Sequence, residues 1–253
     1  TCSGMLFYVQ CNPARLVSTG AKIDKAALAQ RPCFLCEKNR PAIQTQIPID
    51  NDFELLVNPF PILPLHFTIP AKVHQPQLIR EHYGKMRRLL ESFEHLTVFY
   101  NGPKCGASAP DHMHLQAGTG SHLPLHDNWE QLYSNRQTLL STPDGSELAA
   151  INNYACPAFA IVGRDAKADS ALFEALYKAL PQREDETEPM FNILKWRNGE
   201  VYITVVIPRD KHRPACYSAE GDAQMLISPG ALDMAGLVIT PRKEDFERLD
   251  TPL

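Results

Sequence analysis

The sequence predicts an α+β fold: a mainly antiparallel sheet with flanking helices, arranged in two halves. Three observations carry this. Short apolar runs rich in Val, Ile, Phe and Tyr are bounded by Pro, Gly and Asn turns of hairpin length. Each half holds one long helical pattern. The second half then repeats the strand, helix, strand, strand vocabulary of the first. No short-period repeat interrupts either half.

In order along the chain, Gly4 to Cys11 reads as a strand and Asp24 to Gln30 as a short helix. Arg31-Pro32-Cys33-Phe34-Leu35-Cys36 forms a tight knuckle. Phe53 to Val57 and Leu65 to Ile69 are strands joined by the turn Asn58-Pro59-Phe60-Pro61. Pro76 to His95 is the strongest helix pattern. Proline sits at its start, where a missing N–H costs nothing, and Ile79, Tyr83, Met86, Leu90 and Phe93 form one apolar stripe. Arg80, Glu81, Lys85, Arg87, Arg88 and Glu91 then make a solvated face. Thr97 to Asn101 is a strand, a glycine-bearing loop follows, and a further strand starts at His112.

Trp129 to Leu140 reads as a helix, and Thr142-Pro143-Asp144-Gly145-Ser146 as a turn at a boundary between residues 1–150 and 151–253. The second half offers a strand at Ala158 to Val162, a helix at Asp169 to Leu180 and a polar loop at Pro181 to Glu188. Strands follow at Met190 to Leu194 and Val201 to Ile207, with Asn198-Gly199 as a hairpin turn between them. A short charged helix at Pro241 to Leu249 ends the pattern.

Composition narrows the class. The 253 residues are 44% hydrophobic and 21% charged with net charge −4, which excludes a disordered chain. No apolar run approaches the ~18 residues of a membrane helix. A pI near 6.1 lacks the basic footprint of a nucleic-acid binder, while leaving room for a nucleotide held by a few local cations. Seven cysteines, of which only Cys33 and Cys36 form a Cys-x-x-Cys pair, suit a reducing, cytoplasmic setting better than a disulfide framework. The start, Thr1-Cys2-Ser3-Gly4, shows no basic region ahead of an apolar core, so no signal peptide is expected there.

The stretch with most chemistry runs from Tyr100 to Gln116. His112, His114 and Gln116 alternate, so on a strand all three share one face, opposite Met113 and Leu115. Such a face is either a site or the polar side of an edge strand. Ahead of it, Gly102, Gly106, Ala107 and Ser108 are small enough for backbone N–H groups to approach an anion, as in phosphate-binding turns.

His112-Met113-His114-Leu115-Gln116 resembles the histidine-triad superfamily. The likeness is to the branch of galactose-1-phosphate uridylyltransferase, diadenosine-tetraphosphate phosphorylase and the GDP-hexose phosphorylases, which carries His-x-His-x-Gln. Asn58-Pro59-Phe60-Pro61 with Leu65-His66-Phe67-Thr68-Ile69-Pro70 resembles the family's strand pair ahead of the long helix. The resemblance covers residues 30–120 well and Phe191 to Pro208 more loosely. It implies two related halves around a continuous sheet, His114 as nucleophile and Gln116 as a donor to a non-bridging phosphate oxygen. Asn58, Asn101, Gly106, Ala107 and Ser108 would line the nucleotide and phosphate site. It implies nucleotidyl transfer from a nucleoside-diphosphate sugar or dinucleoside polyphosphate to a phosphate-type acceptor, by a monomer or homodimer. Histidine suits the role, because an unprotonated imidazole nitrogen can attack phosphorus and the other nitrogen can be held by a carbonyl. Gln116 cannot take a proton as a third histidine could.

Cys33, Cys36, His74 and His112 map onto the family's zinc ligands. A Cys2His2 set fills a tetrahedral site, so such a zinc would be structural. Without it, they are a reduced Cys pair and two unrelated histidines. No βαβ context supports a thioredoxin-type role. His66 reads as a packed or edge histidine. Arg209, Lys211 and Arg213 leave a firm strand and either hold a phosphate or form a solvated turn. Arg15 is a weaker candidate of the same kind. One departure from the family keeps rival readings open: Asp111 lengthens the spacing from Ser108 to the first histidine by one residue. A carboxylate facing an incoming phosphate would favour a non-catalytic nucleotide-binding or zinc-stabilised module. A nucleotide hydrolase is the nearest catalytic alternative.

Overall fold

Strands that are apolar on both faces need a covering layer on each side. The computed structural model, which describes residues 6–249 except 22 and 121, supplies both. The N-terminal segment holds β1 (Tyr8–Cys11), α1 (Leu16–Thr19) and α2 (Lys25–Gln30), the last capped by the Asp24 side chain, which accepts from the Ala27 N–H. The part of the first expected strand at Gly4 and Met5 lies outside the described residues. Then come β2 (Gln46–Pro48), β3 (Glu54–Val57), β4 (His66–Pro70), α3 (Tyr83–Ser92), β5 (Leu96–Asn101) and β6 (His114–Thr119). Two short helices follow, α4 (Pro124–Asp127) and α5 (Trp129–Ser134). The rest comprises β7 (Arg136–Ser141), β8 (Glu147–Ile151), β9 (Ala158–Gly163), α6 (Ala166–Ala179), β10 (Phe191–Asn198), β11 (Val201–Pro208), α7 (Ala231–Met234), β12 (Leu237–Thr240) and α8 (Lys243–Arg248).

Ten strands form one sheet in the order β2-β3-β4-β6-β5-β10-β11-β9-β8-β7, with every neighbouring pair antiparallel. The order is a duplicated pattern. A three-strand meander, a helix and a two-strand return give 2-3-4-6-5 around α3, and the same path gives 7-8-9-11-10 around α6. The copies meet at β5 and β10, so the sheet is continuous. The topological break falls between α5 and β7. Residue 150, the boundary expected from the turn at Thr142–Ser146, lies inside β8, because β7 and β8 are the outer strands of the second copy. β1 pairs with β12 in a separate parallel ribbon.

One sheet face packs Met113, Leu115, Ala117 and Ile193 against α3 and α6. The other packs Phe99, Leu194, Val205 and Ile207 against α4, α5 and α7. Between the helices of the first layer, the rings of Tyr83 and Phe173 stack at 3.8 Å. Beneath them Lys195, fully buried, donates to Asp169 Oδ2 at 2.5 Å and to the Tyr83 hydroxyl at 3.0 Å. A buried ion pair holds only when both charges are satisfied, so this one ties α3 and α6 to β10.

Three expectations change. The helix expected from Pro76 begins at Tyr83, because residues 76–82 are drawn inward: Gln77 is fully buried and bonds three backbone groups, and Glu188 accepts from the Ile79 N–H. The helix expected over Trp129–Leu140 stops at Ser134, and the rest is the exposed edge strand β7. Lys85, expected on a solvated face, is buried against Asp50 and the Phe53 ring. No helix among the described residues is long and apolar enough to cross a membrane.

Candidate functional site

Strand register sets one polar row across the sheet. His114 on β6 lies across from Pro70 on β4, Gln116 pairs with Thr68 and with Phe99, and Asn101 at the end of β5 pairs with Asn192 on β10. Alternation puts His114, Gln116, Asn101 and Asn192 on the face opposite Met113 and Leu115.

Hydrogen-bond partners fix the protonation of three imidazoles. His114 Nδ1 lies 2.8 Å from the carbonyl oxygen of His112. A carbonyl only accepts, so Nδ1 carries the proton and Nε2 keeps its lone pair. Burial pushes the His114 imidazole down to about 4, so the ring is neutral. Its Nε2 makes no hydrogen bond among the described residues and is not one of the buried, unpartnered atoms. The backbone of His114 is clamped by Gln77, whose Oε1 accepts from the His114 N–H at 2.7 Å and whose Nε2 donates to the His114 carbonyl at 3.0 Å.

His66 has the opposite tautomer. Its Nδ1 accepts from the Ile62 N–H at 3.0 Å, so Nε2 carries the proton and donates to Gln116 Oε1 at 2.8 Å. That bond fixes which end of the Gln116 amide faces His66, leaving its NH2 without a hydrogen bond among the described residues. Burial holds His66 neutral, pushed down to about 4.

His112 Nε2 donates to the Ala71 carbonyl at 2.7 Å, which turns a bare Nδ1 toward the knuckle. That nitrogen lies 3.3 Å from Cys33 Sγ and 3.6 Å from Cys36 Sγ, and His74 Nδ1 lies 3.3 Å from Cys36 Sγ. All four ligand atoms fall within 4.8 Å of one another. Tetrahedral zinc with bonds of about 2.0–2.3 Å sets ligand atoms roughly 3.3–3.8 Å apart, so the residues fit the ion. The knuckle is shaped by Asn39 and Arg40, whose side chains donate to the Cys33 and Leu35 carbonyls at 2.8 Å. Asp111 turns away from His114: it accepts from Arg31 at 2.9 Å, and its other oxygen lies 3.7 Å from His74 Nε2.

The remaining expected site residues divide. Asn101 Oδ1 accepts from Asn192 and the Ala231 N–H, leaving the Asn101 NH2 without a bond among the described residues. Asn58 organises its own turn, accepting from the Phe60 N–H and donating to Thr68. Gly106 has φ +98°, and a Cβ there would meet Gly230 Cα at 2.6 Å, so its smallness serves a close crossing with the 229–230 segment. Ala107 is buried, and the Ser108 carbonyl accepts from Arg31. Arg209 donates to Asn192 and to the Pro229, Lys211 and His212 carbonyls. Arg213 donates to the Thr19 and Ala21 carbonyls and to Ser228. Both arginines therefore brace the chain, and Lys211 is exposed. Gln77 and Glu188 were hidden by a helical pattern and a polar loop. His66 carried a signal, since it and Thr68 share a strand face.

Residues 1–119 match the profile of a family described as a domain of unknown function, DUF4922. No curated protein matches the chain. Its structure is similar to the crystal structure of yeast Ap4A phosphorylase, at 20% identity and TM-score 0.54, covering 80% of this chain and 68% of that one. The same enzyme in complex with Ap4A gives 18% and 0.53, covering 80% and 70%. An ADP-glucose phosphorylase from Arabidopsis thaliana is similar at 13% identity and TM-score 0.43, covering 83% and 92%. The chain has the histidine-triad fold in the form seen in Ap4A phosphorylase.

Proposed function

We propose that this chain is a nucleotidyltransferase acting on a nucleoside-diphosphate sugar or dinucleoside polyphosphate through a nucleotidyl-His114 intermediate. The observation that carries the reading is the unprotonated Nε2 of His114, set two residues from an amide whose NH2 is aimed by His66. In this reading the Nε2 lone pair forms a P–N bond at the α-phosphorus while the P–O bond to the leaving phosphate breaks. An oxygen of the acceptor phosphate then attacks and the P–N bond breaks. Gln116 and the free NH2 of Asn101 donate to the non-bridging oxygens as charge develops. The first half carries the knuckle and the motif; the second closes the site with Asn192, Arg209 and the 229–230 segment.

Cys33, Cys36, His74 and His112 would hold a structural zinc, with no position left for water. The His112 carbonyl orients His114, so anchoring the His112 ring also anchors the nucleophile.

The test is incubation with labelled nucleotide sugars and dinucleoside polyphosphates. A protein adduct that is acid-labile and base-stable, absent from a folded His114→Gln variant, supports the reading. Equal turnover by that variant sinks it. Product release that does not depend on inorganic phosphate would make the chain a hydrolase.

A further inference from the structure

We infer that Arg15 binds the phosphate on the far side of the reacting phosphorus: the leaving phosphate of the substrate, and inorganic phosphate when it serves as acceptor. The inference rests on the nucleotidyl-transfer reading and adds a residue from outside the motif.

Three side chains of the N-terminal segment each donate to a successive carbonyl of the turn beside β4. Gln10 Nε2 donates to Ile62 at 3.2 Å, Asn12 Nδ2 to Pro61 at 3.1 Å and Arg15 to Phe60 at 3.3 Å. The same turn gives its Ile62 N–H to His66, which orients Gln116. The segment is thus seated on the wall of the site, with Arg15 at the end of the row. From there its charge acts on His66.

Arg15 has donors to spare. Its guanidinium makes one hydrogen bond among the described residues, the one to Phe60, and no carboxylate among them lies within ion-pair distance of 4.0 Å. None of its nitrogens is a buried, unpartnered atom, so the free N–H groups remain reachable. Yet the guanidinium is half-buried and partly stripped of water. A planar fork with free donors in such a place suits a phosphate held by two N–H···O bonds. Arg209 and Arg213, the cations expected for this task, have their donors turned to carbonyls. Asp233 on α7 acts on Arg15 through its charge without an ion pair, and its two oxygens accept from the Gly230 and Ile239 N–H groups.

In the transfer step the electron pair of the breaking P–O bond goes to the leaving phosphate oxygen. Donation from Arg15 stabilises that charge. In the return step the same contacts hold inorganic phosphate beside the P–N bond that breaks.

The test compares wild type, Arg15→Lys and Arg15→Ala, using a labelled nucleotide that modifies the wild type and inorganic phosphate as acceptor. Arg15→Ala should raise the KM for phosphate at least tenfold while still reaching an adduct, more slowly. Arg15→Lys should fall between, with the charge kept and the fork lost. An unchanged phosphate KM in a folded, adduct-forming Arg15→Ala overturns the inference. If wild type forms no adduct, the parent reading fails, and calorimetric binding of inorganic pyrophosphate still decides on Arg15. Weaker binding by Arg15→Ala upholds the phosphate contact, and equal binding ends it.

Discussion

The Gln77 side chain holds both backbone polar groups of His114, accepting from its N–H and donating to its carbonyl. It also donates to the Asn101 carbonyl at 3.0 Å, so one buried amide joins the start of β6 to the end of β5. Gln77→Leu keeps most of the volume and strands these groups, at about 1–3 kcal/mol each. We expect a loss of about 3 kcal/mol or more in urea unfolding, and slower adduct formation in whatever fraction stays folded.

His66 and Gln116 should behave as one unit. Removing a preorganised donor to developing charge lowers turnover roughly 100-fold, which is the expectation for Gln116→Ala. His66→Phe leaves the Gln116 amide free to turn over, and a fall of about tenfold is expected. Once Gln116 is alanine, His66→Phe should add little. A double-mutant cycle on turnover measures this coupling, and additive effects would separate the two residues.

Glu188 should make stability fall as pH rises. Burial pushes its carboxyl up to about 7, and Tyr100 and the Ile79 N–H both donate to it. The folded chain binds this proton more tightly than the unfolded chain. Between about pH 4.5 and 7 the folded state therefore loses stability as pH increases, by up to about 3 kcal/mol from this group. Urea unfolding of wild type and Glu188→Gln at pH 5, 6, 7 and 8 should show the two curves separating over that interval. Parallel curves would place the titration elsewhere.

Protein purified without added metal should contain about one zinc per chain by elemental analysis. Stripping it with a chelator frees two thiols and two imidazoles that otherwise join the knuckle to β6. A loss of about 3 kcal/mol in a chain of this length corresponds to a fall of roughly 10 °C in Tm. Cys33→Ser should reproduce the fall, and a chelator should have no further effect on that variant.

The strands were legible because apolar runs rich in Val, Ile, Phe and Tyr end at turn residues, and the motif because its polar residues alternate: β3, β4, β5, β9, β10 and β11 fall close to their expected places. The Cys2His2 cluster was legible only through resemblance, since its members are 38 residues apart at two steps. Pro76 and the apolar stripe misled because Gln77 looks polar, and nothing local says that its amide is turned inward to bond two other strands. β7 misled for a different reason. An exposed edge strand has no buried face, so its Arg-Gln-Thr-Leu-Leu-Ser carries no alternation to read. Asp111 raised a doubt about phosphate binding that only the placement of Arg31 removes.

The mirrored strand order has a kinetic meaning. Five-stranded units that had to find each other by diffusion would assemble their common sheet only above some threshold amount of protein. Here both are on one polypeptide, and β5 meets β10 however far the solution is diluted. The covering that Asn192 and the 229–230 segment give to Asn101 is therefore guaranteed by the tether and owes nothing to abundance.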